Sequence, residues 1–146
     1  MSDLARVDSL PTWLLSRSSA RAHQLLTGAL AEAGARGYHY RLLAALEEHG
    51  PGSQATLGRR AEIDRSDVVA ALEELESRDL VERAPDPDDG RRRIVTITAA
   101  GKSRLRKLDK IVAGVQDDLL APLSGAEREE LVRLLGRLVE RRGGGT

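Results

Sequence analysis

Apolar residues recur at positions 68, 69, 72 and 75, a spacing of three and four that gathers Val68, Val69, Leu72 and Leu75 on one face of a helix. Asp64, Arg65, Ser66 and Asp67 form the polar opening of that helix. A shorter helical stretch over 54–61 precedes it, with Ser53 placed as N-cap. Only Glu62 and Ile63 separate the two, so the pair reads as a helix-turn-helix. Two β-prone runs follow, at 80–83 and 94–98. Between them Pro85-Asp86-Pro87-Asp88-Asp89-Gly90 is turn chemistry, and Arg91, Arg92 and Arg93 form its exit. A helix-turn-helix followed by a two-stranded ribbon is a winged helix, whose usual work is gripping duplex DNA.

Helical patterns flank this centre. Residues 1–8 are polar and read as frayed. Trp13, Leu14, Ala20, Leu25, Ala29 and Leu30 mark a long helix from Pro11 to about residue 35, with Gly34 and Gly37 as its stop. Leu42, Leu43 and Leu46 mark another over about 40–49, closed by Gly50-Pro51-Gly52. Thr98 can cap a long helix running through Leu105, Leu108, Ile111, Val112, Val115 and Leu119 to about Leu120, with Pro122 ending it. Ser124 and Glu127 have capping-box spacing and open a last helix carrying Leu131, Leu134, Leu135 and Leu138. Residues 143–146 read as a loose tail. The expected fold is mainly α: six helices and a two-stranded wing. Its division is an N-terminal helix over 1–37, a winged helix-turn-helix over 38–101 and C-terminal helices over 102–146.

Composition narrows the chemistry. With 40% hydrophobic and 32% charged residues, the 146-residue chain is expected to fold. Aromatics are confined to Trp13, Tyr38 and Tyr40, so aliphatic side chains must build the core, which suits packed helices. No apolar run approaches the ~20 residues that cross a bilayer, and no signal pattern opens the chain. A cytoplasmic location with no membrane partner is expected. There is no cysteine, which excludes disulfides, thiolate metal sites and thiol redox sensing. His23, His39 and His49 lack partner carboxylates at metal or triad spacing, and no glycine loop cradles phosphate, so no enzyme is expected. The net charge is zero, and residues 51–101 hold eight arginines against eleven carboxylates, a net of −3. A DNA-reading role therefore depends on where Arg59, Arg60, Arg65 and the wing arginines stand, not on their sum.

Asp89-Gly90-Arg91, an apolar strand and then Thr98-Ala99-Ala100-Gly101 resemble the wing signature of the MarR family of bacterial transcription regulators. Ile63-Asp64-Arg65-Ser66 and the run 75–81 are similar to that family's recognition-helix region, and the flanking helices match in number and order. The resemblance implies a homodimer whose N- and C-terminal helices interlace, reading a palindromic duplex. The apolar faces of those helices exceed what a small winged helix can cover, although packing within one chain would use them too.

For DNA contact the candidates are Ser53, Gln54, Arg65, Ser66, Asp67 and Ala70 on the helix-turn-helix and Asp89, Arg91, Arg92 and Arg93 on the wing. Arg65 suits a guanine edge or a phosphate, and Ser66 either kind of partner. Asp67 stands where similar proteins often have a small hydroxyl residue. It can accept from a cytosine amino group, or simply favour the helix dipole. The resemblance implies that Arg91 enters a minor groove with Asp89 holding its guanidinium, against the plainer reading of a solvated hairpin tip. Arg92 and Arg93 alternate in direction if the strand has begun, and one would then face phosphate and the other solvent.

Family members often bind a phenolic or aromatic acid, and the candidate residues here are Trp13, Arg17, His23, Tyr38 and His39. Trp13 and Arg17 are four apart on one helix face, a pairing that suits an aromatic carboxylate. His23 lies about 120° round the helix from Arg17. The alternative is a core tryptophan beside a surface arginine. A winged helix that binds protein, and a ligand-independent or zinc-responsive regulator, are the competing functions.

Overall fold

The computed structural model describes residues 4–143. The first three residues and the last three of the expected tail lie outside that range. Among the described residues are α1 (Ala5–Asp8), α2 (Pro11–Glu32), α3 (Gly37–His49), β1 (Gly52–Ser53), α4 (Gln54–Ala61), α5 (Arg65–Ser77), β2 (Val81–Pro85), β3 (Arg93–Ile97), α6 (Ala99–Leu119) and α7 (Gly125–Gly143).

The periodic positions build the core. Leu42, Leu43 and Leu46 of α3, Leu57 of α4, Val68, Leu72 and Leu75 of α5, Val81 and Val95 of the wing root and Leu108 of α6 are all fully buried. Leu30, at the end of α2, joins the same cluster. Each fully buried aliphatic side chain contributes about 1.5–3 kcal/mol, so this cluster holds the helix-turn-helix to the root of the wing.

Helix boundaries follow local chemistry. Pro11 opens α2 at its first turn, while the stretch before it forms the single turn α1 where fraying was expected. α2 stops at Glu32. Gly34 takes a left-handed conformation (φ 73°), and the Ala35 N–H returns to the Leu30 carbonyl at 2.9 Å, a Schellman closure. Gly37 is no stop; it is the first residue of α3, which begins three residues before the expected Tyr40. The earlier start comes from His39, whose Nδ1 accepts the Arg36 N–H at 3.2 Å. Ser53 caps α4, its Oγ accepting the Thr56 N–H at 3.2 Å. Thr98 caps α6 by accepting the Gly101 N–H at 2.9 Å. The capping box opens α7 reciprocally: Ser124 Oγ accepts from Glu127 N at 3.2 Å and Glu127 Oε1 from Ser124 N at 2.9 Å.

The sheet has three strands rather than two, in the antiparallel order β1-β3-β2. Gly52 and Ser53 pair with Val95 and Ile94, while Val81 faces Ile97 and Pro85 faces Arg93. A Gly-Ser dipeptide has no strand propensity of its own; its tertiary position against β3 makes it a strand.

The outer helices leave apolar surface bare. Leu10, Leu14 and Leu15 near the start of α2, and Val132, Leu134, Leu135, Leu138 and Val139 on α7, are exposed, Val132 at 66% and Val139 at 69%. No residue from 125 to 140 is buried. Arg128 ties the start of α7 to Asp117 of α6 at 3.1 Å. Among the described residues no helix is long and apolar enough to cross a membrane.

Candidate nucleic-acid interface

Between the helix-turn-helix and the wing lies a cleft of about 980 Å³. Ser53, Gln54, Thr56 and Arg59 of β1 and α4 and Arg65, Val68 and Val69 of α5 form one side. Arg91, Arg92 and Arg93 form the other. Six expected contact residues, Ser53, Gln54, Arg65, Arg91, Arg92 and Arg93, thus meet around one concavity. Ser66, Asp67 and Ala70 stand on the opening turns of α5 outside it, with Ser66 and Ala70 exposed and Asp67 half-buried.

Two of the six have their acceptors engaged. The Ser53 hydroxyl caps α4 and also donates to Thr56 Oγ1 at 3.0 Å. The Gln54 carbonyl oxygen accepts from Arg83 Nη1 at 2.8 Å. Arg59, named in the charge argument but not among the expected contacts, lines the cleft and donates to Thr56 Oγ1 at 3.3 Å. Its signal was available: it lies three residues beyond Thr56 on a helix whose other face is apolar.

Carboxylates shape the wing tip. Asp86 Oδ1 accepts the Asp88 N–H at 2.9 Å and Asp89 Oδ1 accepts the Arg91 N–H at 3.1 Å, both Asx turns. The Asp86 N–H donates to the Arg92 carbonyl at 2.8 Å. The Asp89 carboxylate thus bonds more closely to the Arg91 backbone than to its guanidinium, whose Nε stands 3.9 Å away. Arg91 presents its side chain 97% exposed. Arg92 Nε lies 3.9 Å from Asp86 Oδ2.

This geometry accounts for much of the acidic excess. Asp86 and Asp89 are spent on the turn. Glu74 bonds Arg36 and His39 on the side of α5 that meets α3, and Glu76 bonds Arg83. The Arg36 hydrogen bond, then that of His39, holds the Glu74 carboxyl below its usual range, as Arg83 does for Glu76. Glu62 and Asp64 remain at the cleft and oppose the arginines there.

The candidate ligand residues divide. Arg17 sits over the Trp13 ring, 5.7 Å from its centroid; Trp13 is half-buried, and Arg17 and His23 are exposed. Tyr38 packs against the core. His39 is buried and points inward, with Nε2 2.6 Å from Glu74 Oε2. Because Nδ1 already accepts a backbone N–H, Nε2 carries the ring proton and donates it to Glu74. Desolvation lowers the His39 pKa, only partly offset by Glu74. None of the five lines the cleft, or the smaller concavity of about 400 Å³ bounded by Leu46, Glu47, Ile97, Lys102 and Arg106. No three His, Cys, Asp or Glu among the described residues are grouped to hold a metal ion.

The model of the MarR family matches residues 23–92. The HTH-type transcriptional repressor NicR of Pseudomonas putida is 32% identical over 98 residues, covering 67% of this chain but 62% of NicR, so the chain spans under two thirds of that relative. Transcriptional regulator HosA of Escherichia coli O111:H- is 31% identical over 100 residues, covering 68% of this chain and 74% of HosA. The crystal structure of the Streptomyces coelicolor PcaV transcriptional regulator in complex with its natural ligand superposes with a TM-score of 0.76 at 28% identity, covering 96% of this chain and 98% of that one.

Proposed function

The chain belongs to the MarR family of transcription regulators, and from that premise we propose that it is a dimeric, sequence-specific DNA-binding repressor released by a small aromatic acid. The observation that carries the DNA-binding part is the cleft with arginines on both rims, Arg59 and Arg65 on the helices and Arg91, Arg92 and Arg93 on the wing. The opening turns of α5 present Arg65, Ser66, Asp67 and Ala70 to a major groove, where Arg65 pairs with a guanine edge or a phosphate. The wing extends beside it, and the exposed Arg91 reaches an adjacent minor groove, where it reads width rather than a base code.

Dimerisation supplies the second half-site. The bare leucines and valines of α2 and α7 are a large apolar area for one chain of this size. A second copy covering them with its own equivalents is the economical solution, and two-fold symmetry makes the operator palindromic. In this reading 1–37 and 102–146 serve the dimer and 38–101 serves DNA.

The effector part rests on Trp13 and Arg17, an aromatic face and a cation together on α2. PcaV, whose solved complex holds its natural ligand, supports a small-molecule response in this chain as well. An aromatic carboxylate would stack on the indole and pair with the guanidinium, with His23 beside them; His39 serves the protein's own packing. Release requires that the ligand bind the DNA-free dimer more tightly than the bound one.

The test is fluorescence anisotropy on a duplex selected from a random pool by the parent protein. Arg91→Ala is expected to weaken binding about 10- to 100-fold and to reduce the salt slope by about one. The circular-dichroism melt should not change, because a loop-tip side chain supports no core. Unchanged affinity would remove the wing from the contact, and a parent protein that selects no duplex would favour a winged helix that binds protein.

A further inference from the structure

One side chain joins the wing to both helices of the helix-turn-helix. Arg83 lies on β2, an edge strand of the sheet, with its side chain only 15% exposed. Nη1 donates to Gln54 Oε1 at the start of α4 at 2.8 Å. Nη2 and Nε donate to Glu76 Oε1 and Oε2 near the end of α5, at 2.9 and 3.3 Å. The backbone of the same residue is held opposite Val95. One planar guanidinium therefore spans three elements, a task for which the ammonium of Lys, a point charge with its donors on one atom, lacks the fork.

The placement matters because of what surrounds it. β2 pairs with β3 on one side only, and the wing tip beyond Pro85 is held by its own Asx turns rather than by the helices. The backbone ladder fixes β2 to β3, and β1 ties β3 to the start of α4, but neither ladder reaches α5, so the angle of β2 and the tip against that helix is left to side-chain contacts at the root. Among the described residues, the Arg83 fork is the hydrogen-bonded side-chain link from β2 to α4 and α5.

We propose that Arg83 is a positioning residue: it touches no DNA, and by locking β2 to Glu76 and Gln54 it sets the angle at which Arg91, Arg92 and Arg93 stand to the recognition helix. Rotating the ribbon about its root would carry the tip out of the adjacent groove while α5 stayed seated. The inference rests on the DNA-binding reading for its consequence, although the lock itself is a property of the free protein.

The experiment uses the full chain and has two arms. The chain has no cysteine, so Ala55→Cys with Gly90→Cys gives a spin-label pair across the cleft; a side chain at Gly90 meets open space. Labelled chain diluted into unlabelled chain should give one narrow distance. In Arg83→Met, which keeps the apolar stem and removes the fork, the distribution should broaden or shift, and Arg83→Lys should fall between. The second arm measures coupling on the selected duplex. If Arg83 aims the wing, the roughly tenfold or larger cost of Arg91→Ala should shrink to less than about twofold in the Arg83→Met background. A residue that merely stabilised the fold would leave that cost intact.

A narrow, unshifted distance in Arg83→Met, or an undiminished Arg91 effect there, overturns the proposal. Should Arg83→Met fail to fold, Glu76→Gln, which loosens the same lock from the surface, decides by the same two readouts. A parent protein that selects no duplex would sink the DNA-binding reading, while the distance measurement would still decide whether Arg83 fixes the wing.

Discussion

Replacing Gly101 with alanine tests how the wing is joined to the long helix behind it. Gly101 is buried in the first turn of α6, where its N–H is taken by the Thr98 cap. A Cβ there would stand 2.1 Å from the Leu80 carbonyl oxygen and 2.7 Å from Ile97 Cγ1. Non-bonded heavy atoms are comfortable at about 3.5–4.0 Å, so something must move by more than about 1 Å. Ile97 can adjust its rotamer. The Leu80 carbonyl cannot move freely: it accepts the Thr98 N–H at 3.1 Å, and Val81 beside it is fully buried. Overpacking costs about 1–3 kcal/mol, and weakening one backbone hydrogen bond adds about 0.5–1.5 kcal/mol. The helical gain of alanine over glycine returns at most about 1 kcal/mol. The expected net loss is about 2–3 kcal/mol, read as a lower urea midpoint at unchanged slope and fixed protein concentration. Gly28→Ala is the control. It lies in α2 with nothing within 4 Å of the added carbon, so it should be neutral or stabilising by up to about 1 kcal/mol. Equal midpoints for Gly101→Ala and the parent would refute the reasoning.

Two further outcomes follow from residues on the other side of the core. Burial holds the His39 pKa below 6.5 among Glu74, Arg36 and Arg78, and Nδ1 has no room for a proton while it accepts the Arg36 N–H. The unfolded chain therefore binds the proton first: the stability due to neutral His39 is complete above pH 6.5 and declines as pH falls toward the depressed folded value, by at most about 1.4 kcal/mol per pH unit. His39→Gln should flatten urea midpoints just below pH 6.5, and a slope equal to the parent's there would contradict this. The depressed carboxyl of Glu74 is lost only below 4.5, a separate window. Titration with a hydroxybenzoate should quench Trp13, the sole tryptophan, and release DNA, whereas Arg17→Ala should lose the response and keep its affinity for the duplex. Parent-like release by Arg17→Ala would remove that residue from the effector site.

Much of the fold was legible because its signals are local. The 68, 69, 72, 75 spacing set the recognition helix, and Ser53, Thr98 and the Ser124–Glu127 pair marked three helix starts through bonds that span only three residues. The wing arginines were legible because a charged exit follows a turn. What escaped depends on distant partners. β1 is strand only because β3 lies beside it. Arg83 reaches Gln54 across 29 positions, which no periodicity announces. His39 stands among the candidate ligand residues, yet with Leu42, Leu43 and Leu46 it completes an i, i+3, i+4, i+7 stripe, the mark of the core face it occupies. Its partner Glu74 lies 35 positions away, so the burial was readable and the bond was not.

Hydroxyl-radical footprinting of the duplex upstream of the protein's own gene, with the stoichiometry of the complex measured by light scattering, tests the central claim most directly. The expected result is two protected half-sites related by a dyad, with centres about one helical turn apart. Each should show protected sugars on both sides of one major groove, with a flanking minor-groove protection that disappears in Arg91→Ala, and two 15.8 kDa chains should sit on each duplex. A single unrepeated footprint with one chain bound, or no protection at all, would contradict it.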